Sequence, residues 1–178
     1  MVNETHARIL LAAREMLSAD GPVSLDSVAR QVGLTKPGLM HHFPSKEAMM
    51  VALVDAVIDQ WEEQLTETLG AEPAEVGAVD RIGAYARFVL SQDFDRSDVV
   101  VFADPRLHRT LVARWEERMT PWWSVPEDAT ETMRTRLLAV RLLADGAWFA
   151  SATGMLVPGP EERRRLRLLV EELLAGAR

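Results

Sequence analysis

The stretch VSLDSVARQVGLTKPGLMHHFPSKEAMM, Val23 to Met50, decides how this chain is read. Its capping residues and breakers divide it into three pieces. Ser24 can cap a short helix, with Asp26 well placed against the helix dipole in the first turn. Val28, Ala29 and Val32 fall on one face of that helix, and Gly33 makes a turn. Thr35 can cap a second short helix, whose first turn tolerates Pro37 because no backbone donor is needed there. Phe43-Pro44 ends it, and Ser45 can cap a third. Two short helices joined through a glycine, with a further helix starting behind them, have the layout of a helix-turn-helix that enters the major groove of DNA.

Composition sets the bounds around this segment. A chain of 178 residues can bury a proper core as one domain, or as one domain with a small appendage. It has no cysteine, which excludes a disulfide framework, a thiolate metal site and a cysteine nucleophile. The net charge is −7, so the chain as a whole is not a basic nucleic-acid coat. The charge is unevenly spread. In residues 1–50, Arg8, Arg14, Arg30, Lys36 and Lys46 balance Glu4, Glu15, Asp20, Asp26 and Glu47, so the excess of acid lies wholly in the remainder. Both lysines of the chain fall in the neutral part. A neutral end on an acidic body orients the chain on a polyanion, because the body is repelled. The N-terminus shows no cationic segment followed by an apolar core, so no secretory signal is expected. The most apolar run, Leu142 to Val157, is short for a bilayer and contains Asp145, so a buried helix, no membrane span and a cytoplasmic location are expected.

Helical spacing recurs along the whole chain without convincing strand alternation, and an all-α fold of about nine helices follows. The first spans roughly 5–19, with Ile9, Leu10, Ala13, Met16 and Leu17 on one face, and Asp20-Gly21-Pro22 stops it. The fourth runs from Ser45 to about Leu69. After a loop from Gly70 to Gly77, helices are expected at about 78–92, 97–103 and 105–120, with a break from Pro121 to Pro126. A helix at about 128–155 is apolar nearly all round near 137–149 and needs cover on both sides. Pro158-Gly159-Pro160 is a hard stop before a last amphipathic helix, Glu161 to Ala175, whose Leu166, Leu169, Val170, Leu173 and Leu174 form a matching stripe. The expected division is a helix-turn-helix domain over 1–47 and a helical body over 48–178.

A recognition helix needs a small, exposed, polar-tipped surface to enter a groove about 12 Å wide. The second short helix offers Thr35, Lys36, Gly38, His41 and His42. Gly38 lets the backbone come close to DNA, and the helix start with Thr35 suits a phosphate. Leu39 and Phe43, four apart, hold the helix to its neighbours. Lys46, just past the break, is placed to meet a phosphate as a point charge. Adjacent His41 and His42 point about 100° apart on a helix, and no third ligand stands nearby, so neither a metal site nor a cofactor is expected.

These residues resemble the TetR family of bacterial transcription repressors. The likeness rests on Ile9-Leu10-x-Ala12-Ala13, Val28-Ala29, Val32-Gly33-Leu34-Thr35, Gly38-Leu39 and His42-Phe43-Pro44-Ser45-Lys46-Glu47-Ala48, and it covers about the first 50 residues. The resemblance implies a homodimer of nine-helix subunits, with helices 1–3 on operator DNA, a body that binds a small molecule, and a dimer seam made by the last two helices. It selects Ser24, Thr35, Lys36, Pro37, Gly38, Met40, His42 and Lys46 as the DNA-contact set. Met40 departs from the family pattern, in which a tyrosine usually stands and touches the DNA. Methionine donates no hydrogen bond, so an apolar contact to a thymine methyl replaces that contact or the contact is absent.

Several large residues are candidates for an effector cavity in the body: Trp61, Phe88, Phe102, Trp115, Met119, Trp122, Trp148 and Phe149, with Trp123 and Met155 beside them. At helical spacing such residues are most often core. Asp145, the acid within the apolar helix, either pairs with Arg141 at i, i+4 or anchors a cationic ligand group. The cluster Arg163-Arg164-Arg165-Arg167 follows Glu161-Glu162 and reads as a solvated or dimer-rim face. No Gly-rich phosphate loop, H-E-x-x-H or G-x-S-x-G occurs, so an enzyme is not expected. The resulting expectation is a ligand-responsive repressor released from its operator by a small apolar or aromatic molecule. An activator or orphan regulator with the same head, and a helical enzyme or carrier whose N-terminal helices only pack, stay open at this point.

Overall fold

The computed structural model describes residues 4–19 and 21–177, and every regular element among them is helical. Eight α-helices follow in order: α1 Glu4–Ser18, α2 Leu25–Gln31, α3 Lys36–His42, α4 Lys46–Leu69, α5 Ala78–Ser91, α6 His108–Trp123, α7 Glu131–Thr153 and α8 Pro160–Ala175. Two 3-10 stretches, Pro73–Glu75 and Arg96–Phe102, precede α5 and α6. The all-α expectation holds, and the helix expected near 97–103 is a 3-10 stretch kinked at Val99.

The caps named from sequence are formed. Ser24 Oγ accepts from the Ser27 N–H at 3.0 Å, and the Ser27 hydroxyl accepts in return from the Ser24 N–H at 2.9 Å. Thr35 Oγ1 accepts from the Gly38 N–H at 3.2 Å, and Ser45 Oγ from the Ala48 N–H at 3.0 Å. Three expectations need correction. Pro121 does not break α6, which runs on to Trp123; Pro121 is exposed while Trp122 beside it is buried, so the backbone donor that proline lacks falls on the solvent side. Helix α6 starts at His108 rather than near 105, because Asp104 makes a turn of its own: Oδ1 accepts from the Arg106 N–H at 2.9 Å and its carbonyl from the Leu107 N–H at 3.0 Å. The loop expected over 70–77 contains the short 3-10 stretch Pro73–Glu75. Asp20, part of the expected stop after α1, lies outside the described residues; Gly21 of that stop donates its N–H to the Met16 carbonyl at 2.7 Å.

The chain packs as two compact units, residues up to 59 with 95–117, and 60–94 with 118 onward. In the first, α1 packs on α2 and on the 3-10 stretch Arg96–Phe102, and α2 on α3. Its core is built from Ile9, Ala13, Val28, Leu39, Met49, Leu53, Val54, Ile58, Val100 and Leu111. Arg14 reaches from α1 to Ser97 Oγ at 3.0 Å and to Asp98 at 3.5 Å.

In the second unit α5 is buried along most of its length against α7 and α8. A Cβ on Gly83 of α5 would come within 2.9 Å of Leu174 Cδ1 on α8, so a larger residue there would have to displace that side chain. Helix α7 buries Leu137, Val140, Ala144 and Trp148 but leaves Leu138, Leu142 and Phe149 exposed. Within the chain its cover is therefore one-sided. The stripe expected on α8 divides likewise: Val170 and Leu174 are buried, Leu166 and Leu173 half-buried, and Leu169 exposed, as is Leu168 beside the stripe. Among the described residues no helix is long and apolar enough to cross a membrane.

Candidate nucleic-acid interface

The geometry of α2 and α3 follows from short-range bonds. The Leu34 N–H reaches back to the Ala29 carbonyl at 2.8 Å, and Gly33 between the two helices sits at φ 72°, a left-handed conformation that strains residues with a Cβ. Arg8 of α1 donates to the Val32 carbonyl at 3.1 Å and ties α1 to this turn. The base of α3 is apolar: Leu39 has no exposed surface and Phe43 is buried. Its opposite side, Thr35, Lys36, Pro37, Met40 and His41, is exposed, with Met40 at 41%. Such exposure of a methionine on a seven-residue helix leaves an apolar contact available at the position where the family pattern has tyrosine.

Most of the residues expected to contact DNA also have partners within the protein. Ser24 and Thr35 use their hydroxyls as caps. His42 is half-buried and meets His6 edge-on, ring centroids 5.2 Å apart, while His6 packs against Phe43 at 4.5 Å. A Cβ on Gly38 would lie 3.2 Å from Thr35 Oγ1, so a larger residue there presses on the cap as well as projecting outward. Both lysines are ion-paired. Lys36 Nζ lies 2.8 Å from Asp26 on α2, and both side chains are well exposed. Lys46 Nζ lies 2.5 Å from Asp104, in the turn before α6, and this pair is the more sheltered of the two. The Lys46 ammonium and the Arg106 N–H hold the Asp104 carboxyl below the usual carboxylate range. His6, Arg8 and Asp104 carry no signal in the sequence that marks them for this site; Asp104 in particular is 58 positions from its partner.

The second unit gathers part of the cavity set. Trp61 is the hub: its ring lies 5.2 Å from Phe88, 5.2 Å from Trp148, 5.4 Å from Phe94 and 6.3 Å from Tyr85. Tyr85 and Phe94 belong to this cluster although the sequence did not single them out. Met119 and Trp122 are buried in the same unit. Phe102 and Trp115 belong to the first unit, where Phe102 is exposed and stacks on His108 at 5.4 Å, and Phe149 is exposed on α7. Asp145 pairs with Arg141 at 3.9 Å, as its spacing suggests, and also accepts from the Tyr85 hydroxyl at 2.7 Å. Burial pushes the Asp145 carboxyl up, against the pull of Tyr85 and Arg141, and burial with the neighbouring carboxylate pushes the Tyr85 phenol up. The arginines after Glu161 are bound internally: Arg163 to Asp93 at 2.6 Å, Arg164 and Arg165 to Glu161, and Arg167 to the Leu90 carbonyl. Among the described residues no group of three or more His, Asp or Glu side chains is arranged to hold a metal ion.

Comparison with known proteins identifies both parts of the chain. Residues 9–53 match the bacterial regulatory proteins of the tetR family, and residues 80–175 match the tetracyclin repressor-like C-terminal domain. The HTH-type transcriptional regulator EthR of Mycobacterium tuberculosis is 28% identical over 172 residues, covering 86% of this chain and 79% of that protein. EthR of Mycolicibacterium smegmatis is 30% identical over 76 residues, 40% of this chain and 35% of that protein. In fold, the chain is similar to a TetR/AcrR family regulator from Thermobifida fusca, with a TM-score of 0.58 at 18% identity over 99% of this chain and 100% of that one. It is similar also to GusR of Salmonella enterica, with a TM-score of 0.57 at 20% identity over 98% of each chain. The EthR proteins and the Thermobifida fusca protein are transcriptional regulators rather than enzymes. With a helix-turn-helix exposed on an apolar base and family matches over both parts of its length, the chain belongs to the TetR family of bacterial DNA-binding transcriptional regulators.

Proposed function

We infer that the protein is a homodimeric repressor, working in the cytoplasm, that a small apolar or aromatic molecule releases from its operator. The observation that carries the DNA-binding half is α3, a short helix with a buried apolar base and a small exposed outer face. Two such helices in a dimer enter successive major grooves about 34–36 Å apart. Thr35, Lys36, Pro37, Gly38 and Met40 approach base edges and backbone, His42 lies at the end of the helix, Ser24 fixes the start of α2, and Lys46 takes a phosphate. The helix-turn-helix domain extends over 1–47, with the body over 48–178.

The exposed leucines of α7 and α8, two helices that pack on each other, support a dimer seam there, because exposed apolar side chains on neighbouring helices suit a partner. The aromatic cluster around Trp61 supports an apolar or aromatic effector. Asp145 is already engaged by Tyr85 and Arg141, which favours a neutral aromatic compound over a cationic one. The effector acts by binding one spacing of the two heads better than the other, and that difference in affinity sets how far DNA binding falls.

A gel-shift titration with DNA from upstream of the protein's own gene tests this reading. Saturable binding that random DNA does not compete away is expected, and its weakening by aromatic compounds that quench tryptophan fluorescence would identify the effector class. Binding no tighter to that DNA than to random DNA would remove autoregulation, and effector binding without loss of DNA would turn the repressor reading toward an orphan regulator or activator.

A further inference from the structure

Of the two lysines on the DNA-facing part, Lys46 alone is held by an acid that is remote in sequence. Its Nζ lies 2.5 Å from Asp104 Oδ2, the lysine side chain 37% and the aspartate 15% exposed. The aspartate has an anchor independent of the lysine, because its other oxygen accepts from the Arg106 N–H at 2.9 Å. The turn that carries it joins the 3-10 stretch to α6. Two more bonds lace the same helices together: Thr110 of α6 donates to Glu47 of α4 at 3.2 Å, and Arg114 of α6 to Asp55 of α4 at 2.7 Å. The start of α4 is thus bonded to α6 and to the turn before it. By contrast Lys36–Asp26 joins two exposed side chains, the kind of pair that contributes little and parts readily.

We propose that Asp104 is an internal competitor for the phosphate that Lys46 binds, so that the turn before α6 sets the strength of DNA binding through this one carboxylate. The inference rests on assigning Lys46 to a phosphate. In the DNA-free protein the lysine is neutralised by a preset anion. A DNA phosphate must either draw Lys46 off Asp104 or meet a pair of zero net charge, and either way the ion release that drives binding is reduced. Whatever moves the turn away from α4 frees the lysine. Because Lys46 and the Arg106 N–H hold the Asp104 carboxyl low, it stays ionised at neutral pH, so the competition is governed by position rather than by protonation.

The test compares full-length Asp104→Asn, Lys46→Ala and the double variant for binding to one operator and one random duplex over a range of salt. Asp104→Asn keeps an acceptor for the Arg106 N–H, and Asp104→Ser is a second variant that keeps it with a shorter side chain. Expected is about three- to tenfold tighter binding of both duplexes by either variant and a salt slope steeper by up to about one unit, while Lys46→Ala weakens both duplexes and the double variant matches Lys46→Ala. Asp104→Glu, which restores the anion, should bind like the parent. Unchanged affinity and slope in Asp104→Asn and Asp104→Ser, beside a weakened Lys46→Ala, would overturn the competition and leave the phosphate contact standing. A gain that persists in the double variant would also overturn it, as general charge removal. No effect of Lys46→Ala would overturn the phosphate assignment itself.

Discussion

The protein shows two exposed helical faces of opposite chemistry. On α3 the outer side is Thr35, Lys36, Pro37, Met40 and His41, small or polar around one methionine. On α7 and α8 it is Leu138, Leu142, Phe149, Leu168 and Leu169. Both helical segments hold a buried row against their own unit, so burial alone does not tell them apart. What differs is the partner each outer face can accept: a wet, charged groove for the first, and an apolar surface such as a second copy for the other.

The comparison breaks most sharply at Gly38. If α3 faces DNA as proposed, Gly38→Glu places a carboxylate against a polyanion, and operator affinity should fall to the non-specific level, roughly 10³-fold or more. Circular dichroism and dimer mass should be unchanged, because the nearest obstacle to a Cβ is the Thr35 hydroxyl at 3.2 Å, which can yield by a few tenths of an ångström. A variant that still binds its operator would show that the outer side of α3 is not the DNA face.

The opposite face is tested by Leu142→Glu with Leu169→Glu. Both side chains are exposed in the protomer, so the fold should survive while sedimentation shows monomers. Operator binding should weaken roughly 10²- to 10⁴-fold, since two half-sites no longer act as one. A dimer of normal stability would remove the seam from this face. The test differs in kind from one on Val170 or Leu174, whose substitution damages the protomer itself because both are buried.

How much of this was legible in the sequence follows the same divide. The α2–α3 segment is specified by neighbours: Ser24, Gly33, Thr35 and Ser45 act on residues within a few positions, so caps and turn could be read directly. The body is specified by partners far along the chain. That α7 is buried on one side only could not be seen from a helix apolar all round. Nor could the closure of Tyr85 on Asp145, 60 positions away; and at the start of α4 Lys46 closes on Asp104 over a similar distance in sequence. Pro121 misled for a related reason: a proline stops a helix only where its missing donor cannot face water.

A sharper distinction between core and effector site comes from Trp61, 2% exposed at the centre of the aromatic cluster. Trp61→Ala should cost about 3–5 kcal/mol if the ring is filled core. Urea unfolding measures this. A loss below about 1 kcal/mol, with quenching by aromatic compounds abolished, would show instead that the ring borders space a ligand fills.

The smallest effect concerns the charge inside the apolar unit. Burial raises the Asp145 carboxyl above its ordinary value, so the folded state holds its proton to higher pH than the unfolded chain does. Its contribution is most favourable below the unfolded value and is lost as pH rises through the folded one. At pH 7 the carboxylate is therefore carried at a cost that Tyr85 and Arg141 only partly offset. Asp145→Asn keeps an acceptor for the Tyr85 hydroxyl without the charge. Its melting temperature should lie above that of the parent at pH 7, and the gap should close as pH falls and Asp145 itself takes up its proton. A gap of the opposite sign at pH 7 would mean that the ion pair with Arg141 outweighs desolvation, and that this unit, like the one that holds α2 and α3, uses its charges to hold helices together.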